Sequence, residues 1–266
     1  GLIFGSEIVI PAAKRLARRM KISETVIGLT IVSIGTSLPE IATNVAAGYN
    51  RLQGIETSGI AVGNIIGSNL SQITIVLGIC GLFATTLYIS KRSLRRDGSV
   101  MLFSLVLMFI ACIDGVITRS EGALLISIYV FYLLFLLIQE KVLLSHKESE
   151  YSIHVLLDLI IIILGCFIVV YGAHILVVNG VKIAESFQIP ALLIGIFVGL
   201  GTTIPELTIS LKDVIKGSGS LSLGNLIGSN ITDPLLSLGL GAIIAGFSIS
   251  TQTLFFDFPF WFVGTS

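Results

Sequence analysis

One polar pattern is written twice inside sequence that is otherwise apolar enough for hydrocarbon. The first copy, Gly35-Thr36-Ser37-Leu38-Pro39-Glu40, is followed by Gly63-Asn64-Ile65-Ile66-Gly67-Ser68-Asn69. The second, Gly201-Thr202-Thr203-Ile204-Pro205-Glu206, is followed by Gly224-Asn225-Leu226-Ile227-Gly228-Ser229-Asn230. Each copy sets a carboxylate beside a proline and small hydroxyl residues, all of which hydrocarbon excludes. An ionisable residue in a membrane segment is costly, needs a partner and marks function by default. Its duplication points to a cation site between two related halves.

The surroundings of the pattern define the class of protein. The chain has 266 residues, 54% hydrophobic and 12% charged, where a soluble domain carries about 25% charged residues. Several stretches reach the roughly 20 apolar residues that cross a bilayer as helix, so the reading is an all-α polytopic membrane protein. Net charge is zero, and neither a basic surface nor a motif points to nucleic acid. Cys80, Cys112 and Cys166 lie scattered in apolar runs and read as buried small hydrophobes. His146, His154 and His174 lack ligand spacing. The chain opens and closes inside apolar segments, Gly1-Leu2-Ile3-Phe4 and Phe255 to Val263, so both ends read as trimmed.

Apolar periodicity and polar breaks predict nine segments, about 1–20, 22–50, 56–84, 98–113, 120–139, 153–185, 189–215, 219–247 and 253–266. The fourth is short for a span. Loops 1/2, 3/4, 5/6 and 7/8, with adjoining helix ends, carry Lys14, Arg15, Arg18, Arg19, Lys21, Lys91, Arg92, Arg95, Arg96, Lys141, Lys147, Lys212 and Lys216. The other side carries Arg51, Arg119 and Lys182. The positive-inside rule makes the first side cytoplasmic and places the N-terminus outside. Glu40 falls in span 2 and Glu206 in span 7; an odd offset reverses direction, so the halves are inverted. The predicted organisation is a first repeat over 1–139, a short cytoplasmic loop over 140–152 and a second repeat over 153–266. Inverted repeats with broken helices and a midplane site are characteristic of secondary transporters.

Pro39 and Pro205 cannot donate to the preceding turn and are expected to free carbonyls near Ser33–Thr36 and Gly199–Thr202. Such backbone is tolerated at membrane depth only inside protein or along a wet cavity. Carbonyls, hydroxyls and carboxylates are the hard oxygen ligands that Ca²⁺ takes, and Na⁺ can use the same set. Thr36 and Ser37 share a helical face with Glu40, as Thr202 and Thr203 do with Glu206. Ser68 and Gln72 are four apart, as are Ser229 and Asp233, so all should face one cavity. Gly63, Gly67, Gly224 and Gly228 are expected to let helices approach closely. Glu40, Glu206 and Asp233 are then the site's acids, with neutral Gln72 at the repeat position of Asp233. Three carboxylates in a low dielectric cannot all stay charged without cations or protons, which supplies an exchange logic.

At these residues the chain resembles the sodium/calcium exchanger family of the calcium/cation antiporter superfamily, prokaryotic-type without a large regulatory loop. The two motif pairs are similar to its alpha repeats, and the similarity extends to Val26-Ile27-Gly28-Leu29-Thr30 and Asp114-Gly115-Val116-Ile117. The resemblance implies the inverted-repeat exchanger fold, with about nine helices present of an expected ten. It implies transported Ca²⁺ and Na⁺, no organic cofactor, a lipid bilayer as surroundings and no obligatory protein partner. It makes Glu40 and Glu206 the central Ca²⁺ ligands, aided by Thr36 and Thr202. Na⁺ would be held by the Ser33 and Gly199 carbonyls, Ser37, Thr203, Ser68 and Ser229, with Gln72 and Asp233 lining the central cavity.

Two departures stand out. The family commonly has Asn where Gln72 stands, and potassium-dependent relatives have Asp. Gln keeps the neutral amide but is longer, which argues against a potassium site. Six residues separate Gly195 from Gly201, against seven from Gly28 to Gly35, so early span 7 is expected to be shifted or to lack a small packing residue. Asp114, Arg119 and Glu121 read as pairing or snorkelling at the 4/5 hairpin, Asp158 as interfacial, and Lys91–Arg96 as a topology signal that meets anionic headgroups.

The functional reading is a Na⁺/Ca²⁺ antiporter of a prokaryotic plasma membrane, with no chemical reaction. A proton-coupled Ca²⁺ antiporter is the nearest rival, disfavoured by Ser37, Ser68, Thr203 and Ser229, which protons do not need. A cation channel and an intramembrane aspartyl-type enzyme are remoter.

Overall fold

A computed structural model describes residues 28–84, 89–139 and 186–265 almost continuously, together with Leu87 and single positions between 4 and 26 and between 156 and 182. Within these stretches the backbone is nearly all helical. A segment in hydrocarbon must satisfy every N–H and C=O internally, and the helix does so without a partner. In chain order the helices are α1 (28–36), α2 (Leu38–Leu52), α3 (Ser58–Phe83), α4 (Lys91–Cys112), α5 (Arg119–Gln139), α6 (Ala191–Thr202), α7 (Ile204–Ile215), α8 (Gly219–Ala245) and α9 (253–265). Among the described residues four stretches are long and apolar enough to cross a membrane: α3, α5, Leu192–Ile215 and α8.

The distribution of polarity is inverted relative to a water-soluble protein. Phe103 and Ile110 on α4, and Phe131, Leu134, Phe135 and Ile138 on α5, are exposed. Ser33, Thr36, Glu40, Asn64, Ser68, Asn225 and Ser229 are fully buried. Apolar surface outside and polar groups inside is the arrangement that lipid selects.

The fourth span departs from the sequence expectation. It begins at Lys91, seven residues before the expected 98, and its 22 residues suffice to cross a bilayer. Ser90 caps it by accepting from the Ser93 N–H at 3.0 Å. Its charged first turns have the hydropathy of a loop, yet Asp97 is fully buried: Arg96 donates to it at 2.7 and 2.9 Å, and Tyr132 of α5 at 3.1 Å.

At the 4/5 hairpin, Asp114 and Glu121 serve the turn instead of pairing with Arg119. Asp114 accepts from the Val116 N–H at 3.1 Å, and Glu121 from the Thr118 N–H at 2.8 Å. The Glu121 N–H bonds back to the Thr118 hydroxyl at 3.3 Å, completing a capping box for α5. Strands β1 (Val116–Ile117) and β2 (Phe247–Ser248) form a two-residue antiparallel ladder, pairing Val116 with Ser248. Arg51, at the end of α2, reaches Glu56, Ser58 and Ser248, which puts loops 2/3, 4/5 and 8/9 on one face. Arg15 pairs with buried Asp158 at 2.6 Å, joining the ends of spans 1 and 6. The remainder of those two spans lies largely outside the described residues, as do loop 140–152, the three histidines and Cys166. Cys80 and Cys112 are buried free thiols.

The halves interlock. α1 packs on α8, and α6 packs on α3. Glycine makes both contacts. A Cβ on Gly67 would stand 2.5 Å from the Ile196 carbonyl oxygen, and one on Gly228 would stand 2.7 Å from that of Leu29. Gly63 is equally tight against Leu192, and Gly224 lies under Gly28. The expectation from these glycines therefore holds.

The one-residue difference between the copies is absorbed without any shift. Gly28–Val32 is a turn of π-helix, which holds one residue more than an α-turn. A Cβ on Gly28 would meet the Leu221 carbonyl oxygen at 2.6 Å, and one on Gly195 would meet that of Ile60 at 2.7 Å. Ile60 and Leu221 are matched positions, 161 apart. Gly195 is thus the small packing residue of span 7, and the expectation that one is missing is corrected.

Candidate functional site

Both broken helices stop at the hydroxyl residue before the Leu-Pro or Ile-Pro pair. Ser37 (φ −77°, ψ 4°) and Thr203 (φ −74°, ψ −5°) leave helical geometry between α1 and α2 and between α6 and α7. Pro39 and Pro205 then sit in the first turn of the following helix, where a missing N–H costs nothing. Glu40 and Glu206 share that turn, facing the positive end of the helix dipole.

Both glutamates are fully buried, and none of their four carboxylate oxygens has a hydrogen-bond partner. The Ser37 hydroxyl and one oxygen of Asp233 are likewise unpartnered. Hydroxyls of the opposite repeat lie beside both glutamates, Thr202 beside Glu40 and Thr36 and Ser37 beside Glu206. Glu40 lies within the fields of Glu206 and Asp233. Buried ionic oxygens left without donors are expensive, and a cation is the partner that relieves them. Among the described residues no three acids, thiols or imidazoles gather tightly enough to hold an ion alone. A ligand set here needs hydroxyl, amide or carbonyl oxygens as well.

Those oxygens are held in mirrored fashion. The Thr36 hydroxyl donates to Asn225 Oδ1 at 3.1 Å, and the Thr202 hydroxyl to Asn64 Oδ1 at 3.2 Å. Asn64 reaches the Glu40 carbonyl at 3.5 Å, while Asn225 Nδ2 donates to Ser210 at 3.1 Å. Ser229 lies 3.4 Å from Thr36. Asn64 and Asn225 belong to the repeated motif but are not among the residues expected at the site. Their matched offset of 161, shared with Ser68 and Ser229, was the available signal.

Within the stretches expected to free carbonyls, Ser33–Thr36 and Gly199–Thr202, individual carbonyls differ. Ser33 and Gly199 still accept the N–H four residues on, from Ser37 at 2.8 Å and Thr203 at 3.1 Å. Ser33 also accepts from Thr36, and Gly199 from Thr202 and Thr203 hydroxyls at 3.1 and 2.6 Å. Proline removes the donor of Gly35 and Gly201 instead, being four residues beyond them.

Gln72 and Asp233 each open a π-turn, Gln72–Val76 in α3 and Asp233–Ser237 in α8. They touch: Gln72 Nε2 donates to Asp233 Oδ2 at 3.2 Å, and Ser68 donates to the same oxygen at 3.3 Å. Gln72 Oε1 accepts from Asn230 at 2.7 Å. The longer amide spans two partners, and a third asparagine, Asn230, joins the site. All twelve residues singled out from sequence fall on α1–α3 and α6–α8, at the breaks or on the glycine-packed faces, and the eleven with polar side chains are buried.

The whole arrangement has counterparts. The family model described as "Sodium/calcium exchanger protein" matches residues 1–138 and 157–265. The sodium/calcium exchanger MaX1 of Methanosarcina acetivorans is 31% identical over 97% of this chain and 85% of that relative. Inner membrane protein YrbG of Escherichia coli is 30% identical over 91% of this chain and 76% of its own length. The solved structure of the sodium-calcium exchanger NCX_Mj soaked with Na⁺ and Sr²⁺ matches with a TM-score of 0.73 and 30% identity, covering 99% of this chain and 84% of that one. The chain belongs to the sodium/calcium exchanger family of integral membrane proteins.

Proposed function

We propose that the chain is a secondary antiporter that exchanges Na⁺ for Ca²⁺ across a membrane by alternating access. The observation that carries this reading is the pair of buried glutamates with four unpartnered carboxylate oxygens between mirrored, broken helices. Glu40 and Glu206 are assigned to Ca²⁺, with the Thr36 and Thr202 oxygens. Ser33 and Gly199 carbonyls, Ser37, Thr203, Ser68 and Ser229 are assigned to Na⁺, and Gln72 and Asp233 to the centre of the cavity. The Thr36, Thr202 and Thr203 hydroxyls now donate to backbone carbonyls. Turning those protons away would expose hydroxyl and carbonyl oxygens together, so ligands for a monovalent cation are gained in pairs.

One Ca²⁺ or several Na⁺ can neutralise the acids, and an empty charged cavity resists rearrangement because desolvated like charges repel. That coupling makes the transport an exchange rather than a leak. Spans 1 and 6 are assigned as the elements that slide across the α1–α3 and α6–α8 core. The N-terminus is assigned outside and loop 140–152 to the cytoplasm of a prokaryotic cell. The shared face of loops 2/3, 4/5 and 8/9, with the Arg15–Asp158 pair joining spans 1 and 6, supports this alternation.

The test is tracer uptake into proteoliposomes holding the full-length protein. Vesicles loaded with Na⁺ and diluted into Na⁺-free buffer should take up ⁴⁵Ca²⁺. Uptake should stop without the gradient and in Glu40→Gln and Glu206→Gln. Uptake driven only by a pH gradient would move the assignment to proton coupling, and no counterflow under either gradient would refute antiport.

A further inference from the structure

The two repeats differ in how the turn that carries the central residue is held. Asp233 opens the π-turn Asp233–Ser237, and hydrogen bonds from the first repeat grip both ends of it. At one end the hydroxyl of Thr232, the residue just before Asp233, lies 2.9 Å from the Tyr129 hydroxyl of α5. At the other end Ser237 accepts from Asn44 Nδ2 of α2 at 2.8 Å. Thr232, Ser237 and Asn44 are fully buried and Tyr129 nearly so.

The spacing gives the second bond its meaning. Asn44 is one helical turn beyond Glu40, and Ser237 is four residues beyond Asp233. The Asn44–Ser237 bond is therefore a strut between the two acid-bearing segments, set one turn away from both carboxylates. The mirrored position cannot build it. Val76 stands where Ser237 would be, four residues after Gln72, and has no polar group; Ser210, four residues after Glu206, accepts from Asn225 instead.

We infer that Asn44 and Tyr129 are positioning residues that clamp the Asp233 turn and fix its carboxylate at a set spacing from Glu40, making this side of the cavity the rigid reference for the cation. This rests on the exchange reading above. A rigid ligand pair raises affinity because less reorganisation accompanies binding. Loosening the clamp should weaken Ca²⁺ capture and leave the turnover of loaded protein alone. Tyr132, on the same helix as Tyr129 and hydrogen-bonded to Asp97 away from the acids, is the internal control.

The experiment measures Na⁺-driven ⁴⁵Ca²⁺ uptake against Ca²⁺ concentration for the full-length protein and for Tyr129→Phe, Ser237→Ala and Tyr132→Phe, normalised to folded protein. Tyr129→Phe and Ser237→Ala should each raise the apparent KM about threefold to tenfold, the effect of one net hydrogen bond. Their maximal rates should stay within about twofold. Tyr132→Phe should lower the melting temperature and leave KM unchanged. Unshifted KM in both clamp variants overturns the inference, as does a shift of the same size in Tyr132→Phe or the loss of both clamp variants from the membrane. An unaltered protein without Na⁺-driven uptake would instead sink the exchange reading, and the inference with it.

Discussion

Gly199→Ala is the sharpest probe of how the site is assembled. The new Cβ would stand 2.6 Å from the Ser68 nitrogen and closer still to the Asn64 carbonyl oxygen, both backbone atoms that cannot rotate aside. The Asn64 oxygen is the nearer and ordinary contact begins near 3.4 Å, so α6 and α3 must part by about 1.0 Å. The Thr202–Asn64 hydrogen bond, now 3.2 Å, would then stretch to about 4.2 Å and be lost. Overpacking costs about 1–3 kcal/mol, and the lost bond adds about 1 kcal/mol. Together these lower the melting temperature by roughly 5–15 °C for a chain of this size. Gly78→Ala is the matched control, since its Cβ meets nothing within 4 Å and alanine favours helix by up to about 1 kcal/mol. Thermal melts of both purified variants, followed by Ca²⁺ uptake, make the comparison. A Gly199→Ala protein as stable and active as Gly78→Ala would refute the claim that backbone contact between α3 and α6 sets the position of Thr202.

Replacing Glu40 or Glu206 by Gln should reduce Na⁺-driven Ca²⁺ uptake at least a hundredfold, on the order of 3 kcal/mol of lost charge interaction, with the protein still folded. Gln72→Asn is too short to bridge Asp233 and Asn230, and should lower the stability of the cation-free protein by about 1 kcal/mol in a thermal melt. At the 2/3 loop, burial alone would raise the Glu56 carboxyl, but Ser58 and the Arg51 guanidinium outweigh it and hold it below the usual range. A depressed carboxyl stabilises at pH above its unfolded value, about 4.3, and that contribution disappears as pH falls through the folded value. Hydrogen exchange of residues 51–58 should therefore accelerate below about pH 4 in the unaltered protein and show no such step in Glu56→Gln.

The parts of this molecule legible in the sequence are those whose chemistry is improbable in hydrocarbon. Glu40 and Glu206 stood out because nothing apolar explains them, and the duplication turned two oddities into a site. The helix breaks at Ser37 and Thr203 were visible through their prolines. The π-turns were not, because one extra residue per turn leaves apolar composition unchanged. Gly28 and Gly195 consequently looked out of register when they are in fact equivalent. The first turns of α4 were hidden for a different reason: Lys91 to Arg96 have loop hydropathy but lie at a helix end, where long side chains reach water or Asp97. Asn64, Asn225 and Asn44 were missed because an amide in a helix has no fixed reading until its partner is known, and each has a partner in the other half of the chain.

That last circumstance bears on how the molecule comes into being. Thr36 and Asn225 are 189 residues apart, and Asn44 and Ser237 are 193 apart. During synthesis α1 and α2 enter the bilayer long before α8 exists to receive them, carrying Glu40 with none of its eventual neighbours from the second half. Each half is an unfinished surface that only the other can close, so neither is a building block that matures alone. A stalled or shortened ribosomal product would hold an unshielded acid and bare glycine faces that the second half covers in the finished protein. The inverted duplication thus leaves the first half's polar face open until the second half of the ion pathway has been made.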